Sequence, residues 1–197
     1  MPGEESFLLR HRLAHDFSLK LHRFPYSATS NMSDITGRLE DFVRELAVPE
    51  VHFIGHSLGG LVIHRFLERY PQQPPGRAVF LGTPCLASRA AERAGRFAPV
   101  AHLMGHSVAE ELLQPRERRW THERPLGIVA GTQPIGFGQL WAAFDEDNDG
   151  TIAVSETRMP GATDHIVLPV SHLGLLVSPR VAEETGLFLT QGHFSVR

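Results

Sequence analysis

Cysteine is nearly absent from this 197-residue chain, which contains one, Cys85. A lone thiol excludes an intramolecular disulfide framework and a cysteine-rich zinc site. Long apolar runs are missing too: nothing approaches the roughly 18 consecutive apolar residues of a spanning helix, which excludes an integral membrane segment. The N-terminal stretch MPGEESFLLRHRLAHDF lacks the basic-then-apolar layout of a secretory signal, so a cytoplasmic protein is expected. Positive charge is not in excess, with 19 Lys and Arg against 22 Asp and Glu. That balance gives no electrostatic footprint for nucleic acid and no polybasic face for a membrane surface. Repeats, low-complexity tracts and Pro/Gly/Ser linkers are absent as well, which points to one domain over residues 1–197. What remains is an ordinary globular composition, 42% apolar and 21% charged, with twelve histidines as its one oddity.

Helical and extended patterns alternate along the chain. Residues 4–15 suit a short helix. Residues 17–24, FSLKLHRF, alternate apolar and polar like a strand with one buried face. Ile35, Leu39, Phe42, Val43 and Leu46 recur at helical spacing, with Ser33 available as an N-cap. Short apolar runs at 51–54, 78–81, 126–130 and 166–170 read as buried strands. Helical patterns fill 58–70, 86–114 (with interruptions) and 179–190. Strands separated by helices imply an α/β fold with a mostly parallel sheet and helices on both faces.

The strongest local signal is VHFI-GHSLGG-LVIHRFL, residues 51–67. A bare G-x-S-x-G is a weak pattern. Here a buried strand runs straight into it and an amphipathic helix runs straight out, the setting a nucleophile elbow requires. Ser57 is expected at a sharp, strained turn that lifts its hydroxyl above the carboxyl edge of the sheet. Gly55 and Gly59 would relieve collisions across that turn, and Gly60 would let helix and strand approach. The Leu58 N–H would begin the helix, where unpaired donors favour an oxyanion.

GHSLGG after VHFI resembles the elbow of the α/β-hydrolase superfamily, in its small lipase/esterase branch. RAVFLGTPCLASRAA resembles the next strand and loop of that branch, and NDGTIAV with VSHLGLL resembles its acid and histidine segments. The resemblance implies a serine hydrolase acting on carboxylic esters through an acyl-enzyme, with the order Ser, acid, His along the chain. His172 follows a strand at its carboxyl end and is the best-placed base; His165 and His193 fit less well. The acid comes from DEDNDG, where Asp145, Asp147 and Asp149 are candidates. Asp149 matches the family most closely because Gly150 supplies the turn after it. Glu156 and Thr157 are given a supporting structural role. No cofactor is implied, and the expected partner is a small-molecule or lipid ester.

The same acidic residues satisfy another template. DEDNDGTIAVSE, residues 145–156, matches a calcium-binding EF-hand loop at Asp145, Asp147, Asp149, Gly150, Ile152 and Glu156. Pro160 and Gly161 break the exiting helix, and no second loop is available to pair with this one. The competing function is therefore a non-catalytic or degenerate hydrolase-fold module that binds calcium through loop 145–156.

The chain departs from the family at its beginning. It lacks the strand that normally precedes residues 17–24, whose loop supplies a second oxyanion N–H. Two expectations follow: a fragment of a longer gene, or a minimal domain in which 17–24 and 51–54 pair directly. Either predicts a weak esterase. Leu103, Met104, Val108, Leu112 and Leu113 could line an acyl site. Cys85 is expected to be buried and inert, His52 and His64 structural, and His11 with His15 part of a solvated face.

Overall fold

The computed structural model describes residues 6–27, 30–86, 118–135 and 146–195. Four strands form one sheet: β1 (Phe53–His56), β2 (Ala78–Leu81), β3 (Leu126–Gly131) and β4 (Asp164–Leu168). Their spatial order is β1-β2-β3-β4, and every neighbouring pair is parallel. All side chains of the central strands β2 and β3 are buried, which is why AVFL and LGIVAG read as unbroken apolar runs rather than as alternations.

Helices α1 (Phe7–Phe17), α2 (Met32–Leu46), α3 (Leu58–Arg69), α4 (Gly174–Val177) and α5 (Pro179–Gln191) cover both faces. On one face Phe53, Ala78, Phe80, Leu126 and Ile128 pack under Ile35, Leu39 and Val43 of α2 and Val62 and Phe66 of α3. On the other, Val79, Leu81, Val129, Ile166 and Leu168 pack under Leu9 and Leu13 of α1, Leu175 of α4 and Val181 and Phe188 of α5. Each large side chain so buried contributes roughly 1.5–3 kcal/mol. Among the described residues no helix is long and apolar enough to cross a membrane.

Several expected boundaries move. Residues 18–27 form no strand. Helix α1 runs on to Phe17 and ends at a left-handed cap on Ser18, φ 54°. The alternation beyond it has a different cause. Leu19 and Leu21 pack on the α1/α5 face of the sheet, whereas Phe24 and Tyr26 pack on the α2/α3 face. A period of two thus reflects burial against two layers in turn, with no ladder partner, and 17–24 does not pair with β1. The first β-strand begins at Phe53 and continues through Gly55 to His56, two residues later than its apolar run suggests. β4 instead starts earlier than its apolar run suggests, at Asp164, so His165 lies inside it. The cap of α2 is Asn31, whose side chain accepts the Asp34 N–H at 2.8 Å, and not Ser33. The helical pattern at 86–114 falls almost wholly outside the described residues, as do the candidate acyl-site residues between Leu103 and Leu113.

Because all four strands run the same way, their carboxyl ends share one edge of the sheet. Ser57 follows β1, Gly82 and Thr83 follow β2, and His172 stands in the loop after β4. Open α/β sheets bind ligands at this edge.

Candidate active site

The turn from β1 into α3 holds Ser57 at φ 53° and ψ −123°. Ser18 and Ala47, the other non-glycine residues with positive φ among the described ones, are left-handed helix caps; Ser57 is not. A side-chain-bearing residue in this conformation costs on the order of 1–3 kcal/mol. The surroundings hold it there. The Ser57 N–H donates to Leu81 O at 2.9 Å. Its carbonyl accepts the Gly60 N–H at 3.2 Å and the Thr83 hydroxyl at 3.0 Å.

The glycines of the motif have unequal roles. A Cβ on Gly55 would lie 2.5 Å from Gly60 N, and one on Gly60 would lie 2.2 Å from Thr83 Oγ1. Gly59 is different: its nearest neighbour would be the Tyr26 hydroxyl at 3.8 Å, ordinary contact, so no collision at this position requires glycine. Leu58 is the first residue of α3, and its N–H is one of the donors a helix leaves unpaired at its start.

Asp149 and His172 meet across the same edge. Asp149 is 1% exposed, and its Oδ2 lies 2.7 Å from His172 Nδ1. Its Oδ1 accepts the N–H groups of Thr151 at 2.9 Å and Ile152 at 2.7 Å, which fixes the carboxylate plane. Gly150 makes the turn at φ 90°. The His172 N–H donates to Asp149 O at 2.8 Å, so backbone and side chain are both held by one residue. With its Nδ1–H given to the carboxylate, His172 carries its lone pair on Nε2.

The Ser57 turn and the Asp149–His172 pair adjoin through Gly82. This residue follows Leu81, which holds the Ser57 N–H, and has φ 56°. A Cβ here would stand 3.0 Å from Asp149 Oδ2 and 3.1 Å from His172 Nδ1. Among the described residues no hydrogen bond joins the Ser57 hydroxyl to His172. Gly82 and Thr83 are missed by sequence reasoning. A glycine and a hydroxyl residue directly after a buried strand were the available signal.

His56, immediately before Ser57, is also missed. Its Nε2 donates to the His172 carbonyl at 2.9 Å, and the two rings lie 4.6 Å apart. Burial, then the neighbouring His172, lowers its pKa to about 4.

The alternative acids fare differently. Asp145 lies outside the described residues. Asp147 has an exposed side chain, and its carbonyl accepts the Val154 N–H at 2.9 Å. Glu156 is buried and turns its Oε2 to the Ala153 N–H at 2.8 Å, while its carbonyl accepts the N–H groups of Cys85 and Leu86. Two calcium-template positions, Asp149 and Glu156, are therefore occupied by internal hydrogen bonds. Among the described residues no group of three His, Cys, Asp or Glu side chains is arranged to hold a metal ion. Thr157 donates to Val154 O at 2.7 Å and meets His165 Nε2 at 2.9 Å. His193 sits past α5 with Nδ1 on Phe194 O. Cys85 is wholly buried, and burial pushes its thiol up to about 12, an inert state. His52 accepts the Arg77 N–H at 2.9 Å, and His11 stacks on His15 at the surface of α1.

No protein-family model matches the chain, and no curated protein matches it in sequence. Solved structures do match. The mature lipase BlEst2 of Bacillus licheniformis superimposes with a TM-score of 0.58 at 18% identity, covering 87% of this chain and 76% of that one. Against the propeptide form of the same lipase, the chain covers 44% of the other's length. The RedJ thioesterase of the prodiginine pathway in Streptomyces coelicolor gives 0.57 at 14% identity, over 94% and 81% of the two chains. An alpha/beta hydrolase fold protein from Chitinophaga pinensis gives 0.55 at 12% identity, over 84% and 74%. The fold is that of the α/β hydrolases.

Proposed function

We propose that this α/β-hydrolase-fold chain is a serine hydrolase of carboxylic esters, with Ser57 as nucleophile, His172 as base and Asp149 as its orienting acid. The observation that carries the reading is the 2.7 Å bond between His172 Nδ1 and buried Asp149, on the sheet edge where the strained Ser57 turn opens α3. A serine at its free pKa is a poor nucleophile and needs a base held in one tautomer by a third group. In the proposed cycle, Ser57 Oγ attacks the ester carbonyl as His172 Nε2 takes its proton. The Leu58 N–H stabilises the developing oxyanion. His172 then protonates the leaving alcohol, and water, activated by the same imidazole, hydrolyses the acyl-enzyme. Asp149 stabilises the imidazolium in both steps. The substrate is a small-molecule or lipid ester, and no cofactor takes part.

A panel of p-nitrophenyl esters of increasing chain length, assayed with wild type and Ser57→Ala, tests this. The variant is expected to lose at least about 10³-fold in kcat, as for other enzymes stripped of their nucleophile. Unchanged hydrolysis by Ser57→Ala would contradict it.

A second reading, a hydrolase-fold module without catalysis, is favoured by one observation. Among the described residues Leu58 is the one backbone N–H we identify for the oxyanion, and a missing donor costs about 10²–10³ in turnover. Wild type indistinguishable from Ser57→Ala on every ester would select this second reading. Calcium binding at 145–156 is separable: a thermal melt with calcium or chelator is expected to show no shift, because Asp149 and Glu156 are already bonded internally.

A further inference from the structure

The strands that lead to the base and the nucleophile are the two edges of the sheet. Ser57 follows β1 and His172 follows β4, and these strands lie three spacings, or about 14 Å, apart. The loop after β4 must therefore return across the ends of β3 and β2 and stop at a defined height over Ser57. Two of the contacts on His172 come from Asp149, which holds its N–H at 2.8 Å and its Nδ1 at 2.7 Å. Those bonds orient the imidazole relative to the acid loop, but they carry no information about the nucleophile's position. The His172 carbonyl, the remaining polar group of its main chain, is taken by His56 Nε2 at 2.9 Å. His56 belongs to β1 and adjoins Ser57 directly.

We propose that His56 is a positioning residue that sets the catalytic base in register with the nucleophile, through its Nε2–H on the His172 carbonyl and its ring against the His172 ring. The proposal rests on the reading of Ser57 and His172 as nucleophile and base. The residue type suits the task. A neutral imidazole donates one directed hydrogen bond from a flat, stiff side chain, and offers a face for the second ring 4.6 Å away. Burial lowers the pKa of His56 to about 4. It therefore stays uncharged at neutral pH and puts no second positive charge beside the imidazolium that forms on His172 in each cycle. A lysine or arginine could make the same hydrogen bond but would oppose that step.

The test compares wild type, His56→Leu and His56→Gln in kcat, KM and rate of fluorophosphonate labelling on a soluble p-nitrophenyl ester. Leucine removes the donor and keeps the apolar bulk; glutamine keeps a donor at the place of Nε2. Misplacement of a reacting group by about 1 Å costs on the order of 100-fold. His56→Leu is thus expected to lose roughly 10- to 100-fold in kcat and in labelling rate with KM within about twofold. His56→Gln is expected to recover to within about threefold of wild type. The proposal is overturned if folded His56→Leu keeps the wild-type kcat, or if a folded His56→Gln is as impaired as the leucine variant. Should His56→Leu fail to fold, the glutamine variant decides alone, and a tenfold loss of kcat in it refutes the role. Wild type that is not labelled at Ser57 refutes the hydrolase reading itself. A labelled wild type with an unaffected leucine variant refutes only the role of His56.

Discussion

The turn at residues 55–60 and the pair Asp149–His172 are built by opposite means. The turn is local: one strand end, one helix start and glycines that let the chain double back. Its outside help is confined to the end of β2, through Leu81 and Thr83. The pair is non-local, joining residues 23 apart in sequence on loops from two strands, and besides its own loop it depends on groups from two other places. Gly82 leaves room for it, the Thr151 and Ile152 N–H groups fix the carboxylate, and His56 holds the His172 carbonyl. A strained conformation can be enforced by a few neighbours in the chain. A hydrogen bond between distant loops needs the whole sheet edge to be in register.

This contrast can be broken first at the acid. Asp149→Asn is expected to leave the fold intact and lower kcat by about 10⁴: the Thr151 and Ile152 N–H groups keep the amide oxygen, so its NH2 faces His172 Nδ1 as a donor and forces the wrong tautomer. Ester kinetics with circular dichroism check this; a loss below tenfold would remove Asp149 from the role. Next comes the turn. Gly55→Ala sets a Cβ 2.5 Å from Gly60 N, a backbone atom that cannot swing aside. Overpacking of this kind costs about 1–3 kcal/mol or more, so urea denaturation should show a loss near 3 kcal/mol. Gly59→Ala, with 3.8 Å of clearance, is expected to be tolerated.

The sequence makes the turn legible because its information is contiguous. A buried run, a glycine-flanked serine and an amphipathic helix all lie within residues 51–67. The sheet's central strands are legible for a similar reason, since β2 and β3 are apolar on both faces. Residues 17–24 show the limit of pattern reading. Their alternation is real, but a strand also needs a ladder partner, and periodicity says nothing about partners. His56 and Gly82 stayed hidden for the same reason. Each matters through a contact with His172, 116 residues away for His56, that no local window contains. The fold itself was visible in outline, with strand ends displaced by about two residues at β1 and β4.

Smaller effects sharpen the comparison further. His56 has its pKa lowered in the folded chain to about 4 against an ordinary 6.5, so between those values the unfolded chain binds the proton more readily. Its contribution to stability is therefore present near pH 7 and is lost as pH falls from about 6.5 towards 4, about 2 kcal/mol by pH 5. Urea midpoints at pH 7 and pH 5 should show that slope, reduced in His56→Gln; an equal slope in the variant would contradict it. Smallest of all, Thr83→Val deletes the hydroxyl bond to the Ser57 carbonyl and should cost about 1 kcal/mol by the same method.

The central claim is that Ser57 is an activated nucleophile, and covalent capture tests it most directly. Wild-type protein treated with a fluorophosphonate probe and digested for mass spectrometry is predicted to carry one adduct, on Ser57, with none formed in Ser57→Ala or after heat denaturation. An unlabelled Ser57 in folded wild-type protein, or an equal adduct elsewhere in the Ser57→Ala variant, would contradict the account.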